Sequence, residues 1–328
     1  SDKIRPYNLE KPLWVFVGST VNAVYTENKK KRSDVLTVGR FLHKFLENKN
    51  NWAVKGIKEI IEGKTGLIDS HGEDVFAEQF EYIKGANASA EQIYREVLTK
   101  VFHVPSGGSL HMCDMRGSTG EIGLKVGGSE DYFGLTYIGD TSKFKKLVEA
   151  DDAGIVLEED AIAGSLFDSI NEPDTRTNVL IGAKKFMEGW NSWRVSNMGL
   201  LNIGRSEGSE IIQLFGRGVR LLGLDRSLKR SSAIDGNHPE HIRLLERLNI
   251  FAVRANYMAQ FREYLQREGV ETEGHVELKL DIKPNRDFLK KGLIVPRVPE
   301  GRSFTDEYDI ILQPDKAARI SVDMSLKV

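Results

Sequence analysis

Continuous apolar runs alternate with stretches of helical period along the first two thirds of the chain. LWVFVGS at 13–19 is unbroken by polar residues, the pattern of a parallel strand buried on both faces. A basic loop, NKKKR at 28–32, separates it from TVGRFLHKFLENK, whose spacing predicts a helix. Residues 74–101 keep that spacing, most clearly in EQIYREVLTKVF. From 103 to 139 the texture becomes glycine-rich, and EIGLKV and FGLTYIG read as hairpin strands, a β-rich insertion. TSKFKKLVEA and AIAGSLFDSI (161–170) are expected helices, TNVLIGAKKF (177–186) and MGLLNIG (198–204) expected strands, and a helix is expected over 209–222. This alternation predicts an open parallel α/β sheet with helices on both faces. Beyond about 233 the pattern changes: HPEHIRLLERLNIFAVRANYMAQFREYLQREG predicts one or two amphipathic helices, and VELKLDIKP, KGLIVPRVP and YDIILQP predict strands. The expected division is therefore 1–232, with the insertion at about 103–139, and a C-terminal α+β appendage over 233–328.

The stretch EIIQLFGRGVRLLG at 210–223 mixes oily positions with an amide, glycines and two arginines. Wound at about 100° per residue, it puts Gln213, Gly216, Arg217 and Arg220 on one arc, with Ile211, Ile212, Phe215 and Val219 opposite. Ser209 stands where it can cap the first amides. The helix would bury one face and present two guanidiniums, whose rigid forks of donors suit carboxylate or phosphate oxygens. The alternative is a surface helix with solvated arginines, but each glycine costs about 1 kcal/mol in a helix interior and needs a reason.

Composition narrows the partners. Hydrophobic residues make up 40% of the 328 and charged residues 29%, and the formal net charge of −2 means that a polyanion must meet a local basic surface. Between 205 and 230 stand Arg205, Arg217, Arg220, Arg226, Lys229 and Arg230 against Glu207, Glu210 and Asp225. A single cysteine, Cys113, excludes internal disulfides and a multi-thiolate zinc site. His71, His103 and His111 lack metal-site spacing, so no metal ligands are assigned. No run of 18 apolar residues and no charged-then-apolar leader is present, so a cytoplasmic protein with no membrane partner is expected. The opening, SDKIRPYNLEKPLWVFVG, suggests a cut made between domains of a longer protein.

Two motifs imitate nucleotide chemistry. EGKTG at 62–66 contains Gly-Lys-Thr, but Lys58 stands where a phosphate loop needs its first glycine and AVKGIKEIIE reads as helix, so Gly63 is better taken as a helix stop. LEEDA at 157–161 resembles an acidic magnesium box without a clean strand before it. PDK at 314–316 followed by DMSLK at 323–327 has the wrong spacing for a nuclease motif.

FMEGWN at 186–191 followed by QLFGRGVR at 213–220 resembles motifs V and VI of superfamily-two helicases. The wording is most similar to the DEAD/DEAH-box proteins related to the Res subunit of type III restriction enzymes, and LWVFVGST (13–20) sits where that family has its motif IV strand. The resemblance implies a RecA-like fold, the second of two motor domains, and an ATP-dependent helicase or translocase working on DNA or RNA. It implies Arg217 and Arg220 as arginine fingers at the γ-phosphate and Gln213 as a positioner of the nucleotide or attacking water. Glu188, Gly189, Asn191 and Gly216 would line the nucleotide, and Ser19, Thr20 and Lys184 would touch the nucleic-acid backbone. Asn191 is neutral where many relatives carry Asp, and Ala183 replaces a frequent hydroxyl. ATP with Mg2+ would be held mainly by a first RecA-like domain of the same parent protein, which makes that domain a partner, and restriction–modification subunits are further candidates. The alternative function is a non-catalytic nucleic-acid- or protein-binding module on the same fold. Trp190 and Trp193 either stack on bases or pack their loop.

Overall fold

The computed structural model describes residues 3–18, 25–27, 30–69, 71–77, 79–183, 191–202, 215–216, 218–253 and 300–301. The chain divides into two compact units, Ser1–Thr272 and Glu273–Val328. The strands expected beyond 270 lie outside the described residues.

The first unit is α/β. Its strands are β1 (Leu13–Gly18), β2 (Tyr25–Glu27), β3 (Lys30–Arg32), β4 (Leu110–Met115), β5 (Glu121–Val126), β6 (Tyr132–Tyr137), β7 (Val156–Asp160), β8 (Val179–Ala183), β9 (Val195–Leu201) and β10 (Asn249–Val253). Among the described residues, eight of them form one sheet in the order β10-β9-β1-β8-β6-β5-β4-β7, and β2 with β3 forms a separate antiparallel ribbon from the basic loop. The sheet is mixed where a parallel one is expected, because β5 runs against its neighbours β4 and β6 while every other pairing is parallel. Short turns join β4 to β5 and β5 to β6, and a short turn can return a strand only antiparallel. Residues 103–139 thus supply three consecutive strands to the main sheet.

Helices α1 (Asp34–Glu47), α2 (Trp52–Glu62), α4 (Ala90–Val101) and α5 (Thr141–Glu149) pack on one sheet face, and the short α3 (Glu81–Gly85) lies between α2 and α4 in sequence. Local chemistry fixes their ends. Ser89 and Gln92 form a reciprocal capping box on α4, and the Asp140 carboxylate caps α5. The core on this face joins Leu36, Leu42, Leu98 and Phe102 to Met112, Leu124 and Phe133. The other face buries Leu13, Val15, Val17, Leu180 and Leu200 beneath Ile170 and Phe215.

Three expectations are corrected. AIAGSLFDSI is a series of turns, since the Glu121 carboxylate takes the Leu166 and Phe167 amides and the Ser165 hydroxyl, which pulls that backbone away from helical pairing. NIFAV, expected within an amphipathic helix, is β10, a β-prone run that pairs with the open edge of β9, and only α6 (Ile242–Leu245) is helical just before it. Within 209–222, Phe215, Gly216 and Gly218 are helical, but the turn closes at Val219 and Arg220 lies beyond it. Arg230 donates to the Val219 carbonyl there, a cation on a helix C-terminus.

The turn before β4 tolerates no side chain at Gly107. A Cβ there would stand 2.0 Å from the Leu46 carbonyl oxygen and 2.9 Å from the Tyr94 hydroxyl, which itself donates to that carbonyl. Gly107→Ala is expected to destabilise the unit by about 2–3 kcal/mol, through strain and the displaced hydrogen bond. A urea midpoint equal to that of the parent chain would contradict this packing.

Candidate functional site

Strands β1, β8 and β9 are parallel neighbours, so their carboxyl ends share one edge of the sheet and their amino ends the other. Of the expected site residues, Asn191, Gly216 and Arg220 are described.

At the carboxyl edge Gly18 pairs with Ala183, so β1 and β8 end side by side. Ser19, Thr20 and Lys184 themselves lie outside the described residues. The same edge receives the N-terminus of α1. Asp34, in its first turn, is buried and accepts a hydrogen bond from Asn202 Nδ2, just after β9. Ser33, immediately before α1, is buried, and its hydroxyl has no hydrogen-bond partner among the described residues. Neither Ser33 nor Asn202 stood out in sequence, because an isolated Ser or Asn carries no pattern.

At the amino edge the two quoted motifs meet. Arg220 Nη1 donates to Asn191 Oδ1 at 2.9 Å across 29 residues of chain, and both side chains are exposed. Asn191 is itself held, since its carbonyl accepts from Asn171 Nδ2 at 2.9 Å. Arg194 lies beneath, 3% exposed, and its guanidinium donates to the carbonyls of Lys11, Ile170 and Thr177. Burial holds its pKa below that of a free guanidinium, with the charge of Glu10 acting the other way. A small cavity at this edge is lined by Pro12, Trp193, Val195, Gly218 and Arg220. Trp193 is half-buried against that cavity, which fits the packing role of the two considered for it.

Of the other expected nucleotide residues, Gly216 is exposed with open space around it, so no steric demand explains the glycine. Gly218 has one, because a Cβ would meet Met198 Cε at 2.6 Å where the helix lies on β9. Gln213, Arg217, Glu188 and Gly189 lie outside the described residues. In the basic stretch, Arg230 is occupied by the carbonyls of Val219 and Glu246, and Arg226 and Lys229 are exposed.

The two imitations resolve as structure. Gly63 ends α2 at φ +63°, and the Thr65 amide and hydroxyl both bind the Asp74 carboxylate, so Gly-Lys-Thr is a helix stop followed by a tight turn. LEEDA lies largely on β7, where Glu158 meets His111 and Lys125 while Glu159 meets Arg116 and Lys145. Among the described residues, no group of three His, Cys, Asp or Glu side chains could hold a metal ion, and no helix is long and apolar enough to cross a membrane.

Compared with family models, with curated proteins and with solved structures, the chain gives no match in any of the three.

Proposed function

We propose that this chain is the second RecA-like half of an ATP-driven nucleic-acid translocase or helicase, contributing arginine to a nucleotide site completed by a first motor domain. The observation that carries the reading is the Arg220–Asn191 hydrogen bond, which joins the end of GRGVR to the end of EGWN at an exposed position. A guanidinium on a solvent-facing amide stays available to a phosphate, because the amide holds it in place without neutralising its charge. Among the described residues no carboxylate forms an ion pair with Arg220.

Two further features support this reading. Open α/β sheets bind whole ligands at strand carboxyl ends, whereas Arg220 and Asn191 are at the amino ends, a position suited to closing a site built mainly elsewhere. The candidate nucleic-acid residues Ser19, Thr20 and Lys184 follow strands that end at the opposite edge, so nucleotide and polyanion need not compete for one surface. ATP with Mg2+ is the implied cofactor, and DNA or RNA the implied track.

The testing experiment compares ATP turnover by this chain with that of a longer parent carrying a phosphate-loop domain, each with and without DNA. The chain alone is expected to turn over at the buffer background, and the parent to be stimulated by nucleic acid. Substantial turnover by the chain alone would overturn the half-motor reading. Binding of DNA by the chain is expected to weaken steeply as salt rises, through counterion release, and salt-independent binding would argue against a phosphate-tracking surface.

A further inference from the structure

The end of the sheet formed by β5, β4 and β7 carries a polar chain that the motor reading does not use. His111 on β4 and Glu158 on β7 project from the same side of adjacent strands, and Ser109 precedes His111 by two residues, which returns it to that side. Ser109 Oγ lies 3.0 Å from His111 Nε2, and His111 Nδ1 lies 2.5 Å from Glu158 Oε1. The second carboxylate oxygen, Glu158 Oε2, is held by Lys125 Nζ at 3.1 Å and by the Cys113 thiol at 3.5 Å.

This arrangement fixes the proton positions. Burial works against the charged form of Glu158, but the hydrogen bonds from Lys125, His111 and Cys113 outweigh it and hold its carboxyl below the usual range. An ionised carboxylate only accepts, so His111 Nδ1 carries the hydrogen. In the neutral ring Nε2 is then bare and accepts from the Ser109 hydroxyl. Hydroxyl, imidazole and carboxylate therefore stand in the order nucleophile, base and orienting group.

Gly127 packs close against the pair: a Cβ there would stand 2.6 Å from His111 Nε2 and 2.7 Å from Ser109 Oγ, so any side chain at this position would displace them. The His111 side chain is 16% exposed and Ser109 half-buried, so solvent reaches them. Cys113 is not the nucleophile, since it is buried and burial pushes its thiol up to about 11.

We propose that Ser109 is an activated nucleophile for acyl esters, with His111 as its base and Glu158 as the positioning residue. Ser109 Oγ bonds to the acyl carbon as its proton passes to His111 Nε2. The bond from that carbon to the alcohol oxygen breaks, and the departing alcohol takes the proton. Water then adds to the acyl-serine by the same proton route and releases the acid, so ester and water become acid and alcohol.

The test exposes the full chain to a fluorophosphonate probe, maps the adduct by mass spectrometry, and follows p-nitrophenyl acetate hydrolysis alongside. One adduct at Ser109 is expected, absent in Ser109→Ala and formed about 100-fold more slowly in His111→Gln, the scale of a positioned general base. Glu158→Gln is expected to slow labelling about tenfold, since His111 loses the group that orients it, and Glu158→Asp should restore part of the rate. No adduct at Ser109 on the unaltered chain, or a rate indifferent to His111→Gln, would overturn the proposal. A labelling rate unchanged in Glu158→Gln, or not restored in part by Glu158→Asp, would overturn the positioning role.

Discussion

Replacing Arg220 with Ala in the full-length protein is expected to lower nucleic-acid-stimulated ATP turnover by about 10³-fold or more, the scale on which arginine fingers act in phosphoryl transfer. The effect is large because charge develops on the transferred phosphoryl group in a site screened from water, where a positioned guanidinium has no solvent substitute. Folding should be untouched, since the Arg220 side chain is exposed and its hydrogen bond is to the side chain of Asn191. Arg220→Lys should recover little, because an ammonium keeps the charge but loses the fork. Asn191→Ala, which removes only the holding amide, should cost about tenfold, the price of letting a correctly chosen group wander. Steady-state turnover at saturating DNA and ATP, with urea midpoints for each variant, checks the set. Turnover by Arg220→Ala within a factor of two of the unaltered protein would remove the finger assignment.

Arg194→Met is expected to destabilise the first unit by about 3–5 kcal/mol, from three hydrogen bonds to a charged donor at roughly 1.5 kcal/mol or more each. The side chain is 3% exposed, and its three acceptors belong to the segments entering β1 and β8 and to the turn ending at Ile170. Met fills similar space but donates nothing, so three buried carbonyls lose their partner. Arg194→Lys should recover part of the loss, since an ammonium cannot reach three divergent acceptors at once. Urea unfolding measures both; a midpoint unchanged in Arg194→Met would mean that those carbonyls find other donors. The two arginines, Arg194 and Arg220, thus make opposite predictions. One is expected to change stability, the other turnover alone.

Much of the fold was legible because local pattern and burial agree. LWVFVG reads as a doubly buried parallel strand and is one, flanked by β8 and β9. TVGRFLHKFLENK and EQIYREVLTKVF lie within or largely within α1 and α4, where the apolar period and the end caps point the same way. Misreadings fall where a distant residue decides the local conformation. Residues 161–170 have the period of a helix but yield their amides to Glu121, some 40 positions earlier in the chain. The reversed direction of β5 follows from turn lengths that were visible, yet its place between β4 and β6 in the middle of a larger sheet was not.

For the candidate sites the balance is similar. Arg220 and Asn191 could be singled out from motif wording, but their contact across 29 residues depends on where β9 and the following turn deliver them. The chain Ser109–His111–Glu158 left only a faint trace, the alternate polar positions Ser109 and His111 in SLHMC and one of three adjacent acids in LEED. The interval says that Ser109 and His111 share a face and nothing about which strand lies next to β4.

The sequence by itself determined most element types, the α/β class and which positions were worth suspecting, because period, capping and turn chemistry act over a few residues. Only the tertiary structure decided strand order, the meeting of Asn191 and Arg220 at the amino edge, and the partners of His111. Those depend on pairings between segments tens of residues apart, and the free energy that selects such pairings comes from the shared burial of both partners, which neither segment carries alone.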